Sequence, residues 1–266
     1  MRLFTATLRK LARRPATLIT FGVLAALLVF IMLAVATTGG DGAGDENFDP
    51  LALVTFPGAY EQILSFMLGL GGLFAVTYGA AIAGSEWTWG TLKVAIARGE
   101  SRTLYVVGTY VGVVAVIAIG LLVTFIIGVA GAAAGATISG VPLDGIGDTD
   151  ALAGLPEQFA RGGVAIAAQA AVGYAVATLA RSQLAGIGAG IALYFVGTFA
   201  GVFLPDVVQY LPFQLASTAL GGGGFGDPQG GTGAVSPDTA LLLLVAWLVG
   251  SVAVASLWTQ RAEITG

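Results

Sequence analysis

Cysteine and histidine are both absent from the 266 residues. Without cysteine there is no disulfide bond and no thiolate chemistry, and without either residue most zinc and copper sites are excluded. Catalytic pairs that join serine or cysteine to histidine are excluded as well. Charge is also scarce, at 10% of residues. None of the long apolar runs carries an ionised residue at its centre, so we expect no intramembrane catalytic site and no buried carboxylate that could bind a coupling ion.

A nucleotide-binding loop is missing too. Such a loop needs a glycine-rich turn followed by Gly-Lys-Ser/Thr, so that backbone N–H groups and the lysine can hold phosphates. The chain has two lysines, Lys10 and Lys93, and neither stands in that context. We therefore predict that the chain is not an enzyme and binds no cofactor or metal.

Apolar sequence is what the chain has in abundance, at 56% hydrophobic residues. Because ~20 apolar residues cross the hydrocarbon core as a helix, the long runs predict an all-α integral membrane protein. The first run exceeds the ~7–15 residues of a signal-peptide core, which favours a retained helix. The run after Thr103 stays uncharged to Ser139, so we expect it to break or protrude around Gly128 to Gly135. Six spans are predicted, at residues 16–37, 60–83, 103–130, 162–180, 184–204 and 239–258.

The distribution of charge predicts the orientation of these spans. With both termini in the cytoplasm, ten of the 11 basic residues lie inside and only Arg161 lies outside. Of the 15 acidic residues, three lie inside: Glu86, Glu100 and Glu263. Since lysine and arginine concentrate in short cytoplasmic loops, this arrangement predicts six spans with both termini cytoplasmic.

The segments between the spans have distinct compositions. Residues 1–15 carry five positive charges with leucines at helical spacing, which suits an amphipathic helix in the headgroup region or a positive flank that orients the first span. Residues 38–59 and 140–160 are predicted acidic loops, and the glycine-rich residues 221–233 are a predicted flexible loop.

Glycine pairs four residues apart predict close packing within the bundle, with a dimer seam as the alternative. These pairs are Gly108/Gly112, Gly131/Gly135, Gly186/Gly190 and Gly197/Gly201.

Residues 84–102, "GSEWTWGTLKVAIARGESR", form a charged segment between two apolar runs. Trp89, Leu92 and Ile96 recur at helical spacing, while Gly99 offers a helix stop and Ser101 a cap for the next helix. Trp87 and Trp89 also suit the headgroup boundary. We predict a short amphipathic cytoplasmic helix between the second and third spans.

This segment resembles the signature that follows the second span in type-2 ABC transporter permeases. The resemblance rests on "EWTWGTLKVAIARGESR" and is supported by the basic N-terminus, the short "ARSQLAGIGAGIAL" hairpin and the "YLPFQLAS" segment. It implies a permease subunit of an ATP-driven exporter in the plasma membrane, paired with a second copy or a sister permease. It also implies separate ABC ATPase subunits, which would bind ATP and magnesium.

The resemblance implies that residues 84–102 couple the permease to its ATPase. The residues that would carry the coupling are Glu86, Trp87, Trp89, Gly90, Thr91, Leu92, Lys93, Arg98 and Arg102. Lys93 and the arginines would contact acidic groups of the partner, and Trp89 and Leu92 would be the packed anchor. Alternatively, the basic residues set the topology and contact anionic lipid. A second interpretation of the whole chain is a non-transporting membrane anchor or regulatory subunit that recruits a cytoplasmic partner.

Polar side chains inside the predicted spans are few. Thr77, Tyr78, Gln169 and Tyr174 are candidates to line a substrate path, although hydrogen bonds between helices are the favoured role for such groups. The mainly Ala, Gly, Val and Leu lining favours an apolar or amphipathic substrate. No feature predicts nucleic-acid binding.

Overall fold

The computed structural model of the chain describes residues 2–38, 50–201, 203–221 and 235–262. Within these ranges the backbone forms α-helices and two short 3-10 helices, Pro50–Leu53 and Asp144–Gly147, with no strand. The α-helices are α1 Arg2–Ala12, α2 Pro15–Thr38, α3 Gly58–Thr88, α4 Thr91–Ala97, α5 Arg102–Ser139, α6 Thr149–Ala180, α7 Gln183–Ala200, α8 Pro205–Val208, α9 Pro212–Ala219 and α10 Pro237–Arg261.

Five of the helices are long and apolar enough to cross a membrane: α2, α3, α5, α6 and α10. They correspond to predicted spans one, two, three, four and six. Helix α7 covers most of the predicted fifth span but is shorter, and it ends at Ala200 rather than Leu204. Gly201 follows it, and Pro205 begins the next helix, so the chain turns before a longer span is complete. The fold is that of a multi-pass α-helical membrane protein.

Helices α3 and α6 form the centre of the bundle. They pack against each other more extensively than any other pair, and 67% and 72% of their most apolar windows are buried. The corresponding share is 22% for α2 and for α10. Those outer helices expose large apolar side chains such as Leu18, Phe30 and Leu242. A helix that is apolar on every side and still exposes such side chains suits contact with lipid.

The long helices alternate in direction, so each end of the bundle collects particular segments. At one end, the Glu86 end, α1 and the start of α2 meet the end of α3, and the start of α5 meets the end of α10. At the opposite end, the Arg161 end, the start of α6 meets α9 and the start of α10.

Two predictions about the middle of the chain are wrong in detail. The expected break around Gly128 to Gly135 is wrong, because α5 continues for 38 residues to Ser139. At ~1.5 Å per residue the helix is about 57 Å long, which exceeds the ~30 Å hydrocarbon core and agrees with the alternative expectation that the run protrudes. The glycines from Gly128 to Gly135 lie against side chains of α2 and α3, such as Leu28, Val29 and Ile63, so they serve helix packing.

The second correction concerns the predicted acidic loop at residues 140–160. The loop ends at Asp148, whose carboxylate caps α6 by accepting hydrogen bonds from the backbone N–H groups of Asp150 and Ala151. Residues 149–160 are therefore helical, with Pro156 inside the helix. Most of the other predicted loops, residues 39–49 and 222–234, lie outside the described residues.

Candidate functional site

The charged segment 84–102 divides into the last turn of α3, the short helix α4 and the first residue of α5. Helix α3 extends to Thr88, five residues beyond the predicted end of the second span. Gly90, with φ 67°, adopts the left-handed conformation between α3 and α4, and α4 begins at Thr91. Gly99 is also left-handed and follows α4, as predicted. Ser101 precedes α5 at the capping position, but its side chain makes no capping hydrogen bond.

Glu86 is the centre of a buried polar cluster in this segment. Glu86 is 4% exposed. Lys10 of α1 donates to both carboxylate oxygens, with Nζ 2.7 Å from Oε1 and 3.0 Å from Oε2. Arg14 donates from Nη2 to Oε1 at 3.1 Å. The hydroxyls of Thr91 and Tyr105 both donate to Oε2. One carboxylate therefore contacts four groups from α1, the α1–α2 junction, α4 and α5.

Arg14 is a second link within the same cluster. It is 9% exposed and donates from Nη1 to Ser85 Oγ at 2.8 Å. Its guanidinium also lies over the Trp89 ring, 4.9 Å from the ring centroid. Buried charges are tolerated only when they are paired and hydrogen-bonded, and Glu86 and Arg14 meet both conditions. Together, Lys10 and Arg14 hold the N-terminal helix against the end of α3.

The side chains that the sequence assigned to coupling differ in exposure. Trp89 is 64% exposed, and Lys93 and Arg98 are exposed on α4 and its C-terminal end. Leu92 is 3% exposed, so it packs inside the chain. Exposed Trp89, Lys93 and Arg98 thus form what we call the α4 surface, with Leu92 beneath it.

Two further residues of the segment contact other helices. The ring of Trp87 lies 5.0 Å from the guanidinium of Arg181, which occupies the turn between α6 and α7. Arg102 donates from Nη1 to the carbonyl oxygens of Gln260 at 2.9 Å and Ala262 at 2.8 Å. Those carbonyls end α10, where a cation also interacts favourably with the helix dipole. Trp87 and Arg102 therefore connect the segment to α6, α7 and α10.

The candidate substrate-path residues make internal contacts. Thr77 donates to carbonyls of its own helix. The Tyr78 hydroxyl is 2.8 Å from Thr17 Oγ1 on α2, and the Tyr174 hydroxyl donates to the Val106 carbonyl of α5 at 3.2 Å. Gln169 is 1% exposed, its side chain lies against Gly72, and its Oε1 has no hydrogen-bond partner within the described part of the chain. Tyr78 and Tyr174 thus join pairs of helices.

The opposite end of the bundle holds a smaller ionic cluster around Arg161. Its Nε donates to Glu157 at 2.9 Å, its Nη2 to Asp238 at 2.8 Å, and its Nη1 to the Ala219 carbonyl at 3.3 Å. These contacts join α6 to the end of α9 and the start of α10. Among the described residues no group of three or more acidic side chains is arranged to hold a metal ion.

Sequence reasoning missed Lys10, Arg14 and Tyr105 as partners of Glu86. One signal was available, because Lys10 and Arg14 are four residues apart, which is the spacing of side chains that share a helix face. Nothing in the sequence indicated that the shared target was a carboxylate 76 residues away. The cluster is therefore visible only in the folded chain.

No curated protein matches the sequence. A family described as "Protein of unknown function (DUF2705)" matches residues 48–260, which run from just before α3 almost to the end of α10. The match includes Glu86, the α4 surface and Arg102, and it excludes α1 and α2. Since the matched region is well over half of the chain, this protein belongs to the DUF2705 family.

Proposed function

We propose that the chain is the membrane permease subunit of an ATP-driven exporter of the ABC type. In this proposal α2, α3, α5, α6, α7 and α10 are six spans in the plasma membrane, and both termini are cytoplasmic. The chain pairs with a second copy or a sister permease. Separate ATPase subunits bind ATP and magnesium and contact segment 84–102.

The observation that carries the proposal is the α4 surface and its attachment. An exposed tryptophan precedes α4, and two exposed cationic side chains lie on α4 and at its C-terminal end. Aromatic and arginine side chains are the residues that most often dominate the binding energy of protein interfaces. Leu92 and the Glu86 cluster fix this surface to α1, α3 and α5, so a displacement of α4 reaches several long helices.

The six-span topology is supported by the two ends of the bundle. The Glu86 end contains the segments with Lys10, Arg14, Lys93, Arg98, Arg102, Arg181 and Arg261, whereas Arg161 stands at the opposite end among acidic side chains. Helix α7 has 18 residues, about 27 Å of helix at ~1.5 Å per residue, close to the ~30 Å hydrocarbon core. Such an asymmetry of lysine and arginine supports a cytoplasmic position for the Glu86 end.

Transport in this proposal requires that nucleotide binding favours one arrangement of the spans over another. A change of populations from 1:99 to 99:1 needs about 5.5 kcal/mol of differential binding energy. The ATPase subunits would supply that energy through the α4 surface, because the chain itself has no P-loop.

The proposal is tested by isolating the tagged chain from its native membranes in mild detergent and identifying co-purifying proteins by mass spectrometry. We expect a stoichiometric ATPase that carries a P-loop. The double variant Lys93→Glu/Arg98→Glu should recover at least about tenfold less ATPase than the parent chain. A tenfold loss corresponds to ~1.4 kcal/mol of binding free energy. Membrane insertion of the variant should be unchanged.

The matched control is Arg13→Glu/Arg261→Glu, which makes the same change of charge at the same end of the bundle but outside the segment. Its ATPase recovery should equal that of the parent chain. Equal recovery by Lys93→Glu/Arg98→Glu would remove these residues from the docking surface. A stable complex with a cytoplasmic protein that is not an ATPase would favour a membrane anchor over a transporter.

A further inference from the structure

Helix α4 is short and has few attachments to the rest of the chain. It contains seven residues, and one of them, Leu92, is buried. Its packing is chiefly against α3 and α5. One polar attachment of α4 is the Thr91 hydroxyl, which donates to the Glu86 carboxylate. The way α4 responds to a bound partner therefore depends strongly on what else Glu86 holds.

Glu86 also contacts the N-terminal segment. Lys10 contributes two charge-assisted hydrogen bonds, and Arg14 contributes a third. Hydrogen bonds to charged groups stabilise a folded chain more than hydrogen bonds between neutral groups. A buried carboxylate that loses its donors destabilises the chain by the full desolvation free energy of the charge. The donors on α1 and α4 thus stabilise the same buried oxygens, and neither helix can leave without exposing the carboxylate to that cost.

A second contact connects the α1–α2 junction to the turn between α3 and α4. Arg14 lies over the ring of Trp89, the exposed aromatic residue of the α4 surface, and it also donates to Ser85 in the last turns of α3. Thr17, three residues further along, donates to the Leu11 carbonyl and so fixes the angle between α1 and α2. The junction of α1 and α2 therefore contacts both the last turns of α3 and the residue that follows them, Trp89.

From these contacts we propose that Glu86 joins α1 and α4 into one rigid body, so that the N-terminal helix moves together with the docking segment when a partner displaces it. Glu86, Lys10 and Arg14 are positioning residues, since their described contacts lie within the chain. The rigid link stands on the contacts alone, whereas its movement on nucleotide binding rests on the proposed function.

The rigid link is tested by measuring the distance between spin labels on α1 and α4. The chain contains no cysteine, so the pair Ala12→Cys and Val94→Cys, both exposed, labels two sites without further substitution. We expect a single narrow distance in the otherwise unaltered chain. Glu86→Gln, which removes the charge, should lose that narrow distance, and so should Lys10→Met, which leaves segment 84–102 intact.

Two control variants separate this effect from general damage to the fold. Lys10→Arg keeps a cation within reach of Glu86 and should keep the narrow distance. Glu100→Gln removes a carboxylate from the same segment but outside the cluster, and it should also leave the distance unchanged. If Glu86→Gln and Lys10→Met both retained the narrow distance, the rigid link would be refuted.

The joint movement is tested with a second pair of labels in the complex with the ATPase. Val94→Cys and Leu184→Cys report the position of α4 relative to the exposed start of α7. On addition of nucleotide we expect this distance to shift while the Ala12–Val94 distance stays constant. A shift of both distances would refute joint movement.

The test of the rigid link and the test of joint movement can fail independently of each other. If no ATPase co-purifies, the proposed function fails and joint movement on nucleotide binding fails with it. The first pair of labels still decides whether Glu86 links α1 to α4.

Discussion

At Gly90 the chain leaves α3 in the left-handed region, with φ 67°, and begins α4 one residue later. A residue with a Cβ atom is disfavoured there by roughly 1–2 kcal/mol, whereas glycine is not. The turn places the Thr91 hydroxyl on the Glu86 carboxylate. The resemblance to permeases marked Gly90 as part of a motif, and the backbone supplies a physical reason for glycine at this position.

Substitution of Gly90 by alanine should destabilise the chain and loosen the α4 surface. Nothing lies within 4 Å of the added methyl group, so the cost arises from the backbone and not from a clash. We expect roughly 1–2 kcal/mol and a lower midpoint of thermal denaturation in detergent, at ~2–4 °C per kcal/mol. Gly250→Ala on α10, also in open space but without a positive φ, is the control and should denature no lower than the parent. A Gly90→Ala midpoint equal to the parent's would contradict this account.

Among the helices, the pairing of α3 with α6 depends on glycines that face backbone atoms. Gly79 on α3 lies against the Ala170 carbonyl, and Gly173 on α6 lies against the Val76 carbonyl. Backbone atoms cannot move aside as a flexible side chain can, so these positions admit no larger residue without separating the helices. In lipid, where the hydrophobic effect does not drive helices together, such close approaches supply much of the packing energy.

Gly173→Ala should therefore weaken the central pair of helices. The added Cβ would lie 2.9 Å from the Val76 carbonyl carbon, and overpacking of this kind costs roughly 1–3 kcal/mol. Gly163→Ala is a matched control on the same helix, because nothing lies within 4 Å of its added methyl group. It should stabilise the helix by roughly 0.5–1 kcal/mol. Thermal denaturation in detergent measures both, and equal midpoints for the two variants would show that the close approach contributes nothing.

Sequence patterns predicted the elements far better than their ends and their contacts. Runs of ~20 apolar residues predicted the long helices correctly, because a helix needs that length to cross the bilayer. Gly99 correctly predicted the end of α4. The run to Ser139 does not break, since its glycines pack on α2 and α3 rather than interrupting α5. The acidic residues before Arg161 look like a loop in sequence, yet Asp148 caps a helix that contains Glu157. The partners of Glu86 depend on which helices become neighbours, and local sequence does not contain that information.

At the scale of the whole molecule, charge distinguishes the two ends of the bundle. The Glu86 end is basic and its principal carboxylate is buried, whereas Glu157 and Asp238 at the Arg161 end are exposed. An end rich in lysine and arginine remains on the cytoplasmic side during insertion. The distribution of charge therefore predicts which loops are accessible from outside the cell.

Single cysteines test this orientation directly. Gly147→Cys lies in the exposed connection between α5 and α6, and Val94→Cys lies on α4. With a membrane-impermeant maleimide on intact cells we expect labelling of Gly147→Cys and protection of Val94→Cys, which should react only after permeabilisation. The cysteine-free parent supplies the background for both. The reverse pattern would invert the topology, and labelling of both sites from outside would contradict an intact bundle.

The separation of 76 positions between Lys10 and Glu86 sets an order of events during biosynthesis. At a translation rate of ~5–20 residues per second, the N-terminal helix waits about 4 to 15 s for its carboxylate partner to be made. Throughout that interval Lys10 and Arg14 lack this carboxylate partner, and their positive charges can act on the insertion of the first span. Once Glu86 has been synthesised and the chain has folded, Lys10 and Arg14 pair with its carboxylate. A substitution at Lys10 or Arg14 could then alter how the nascent chain enters the membrane as well as how the finished protein is held together.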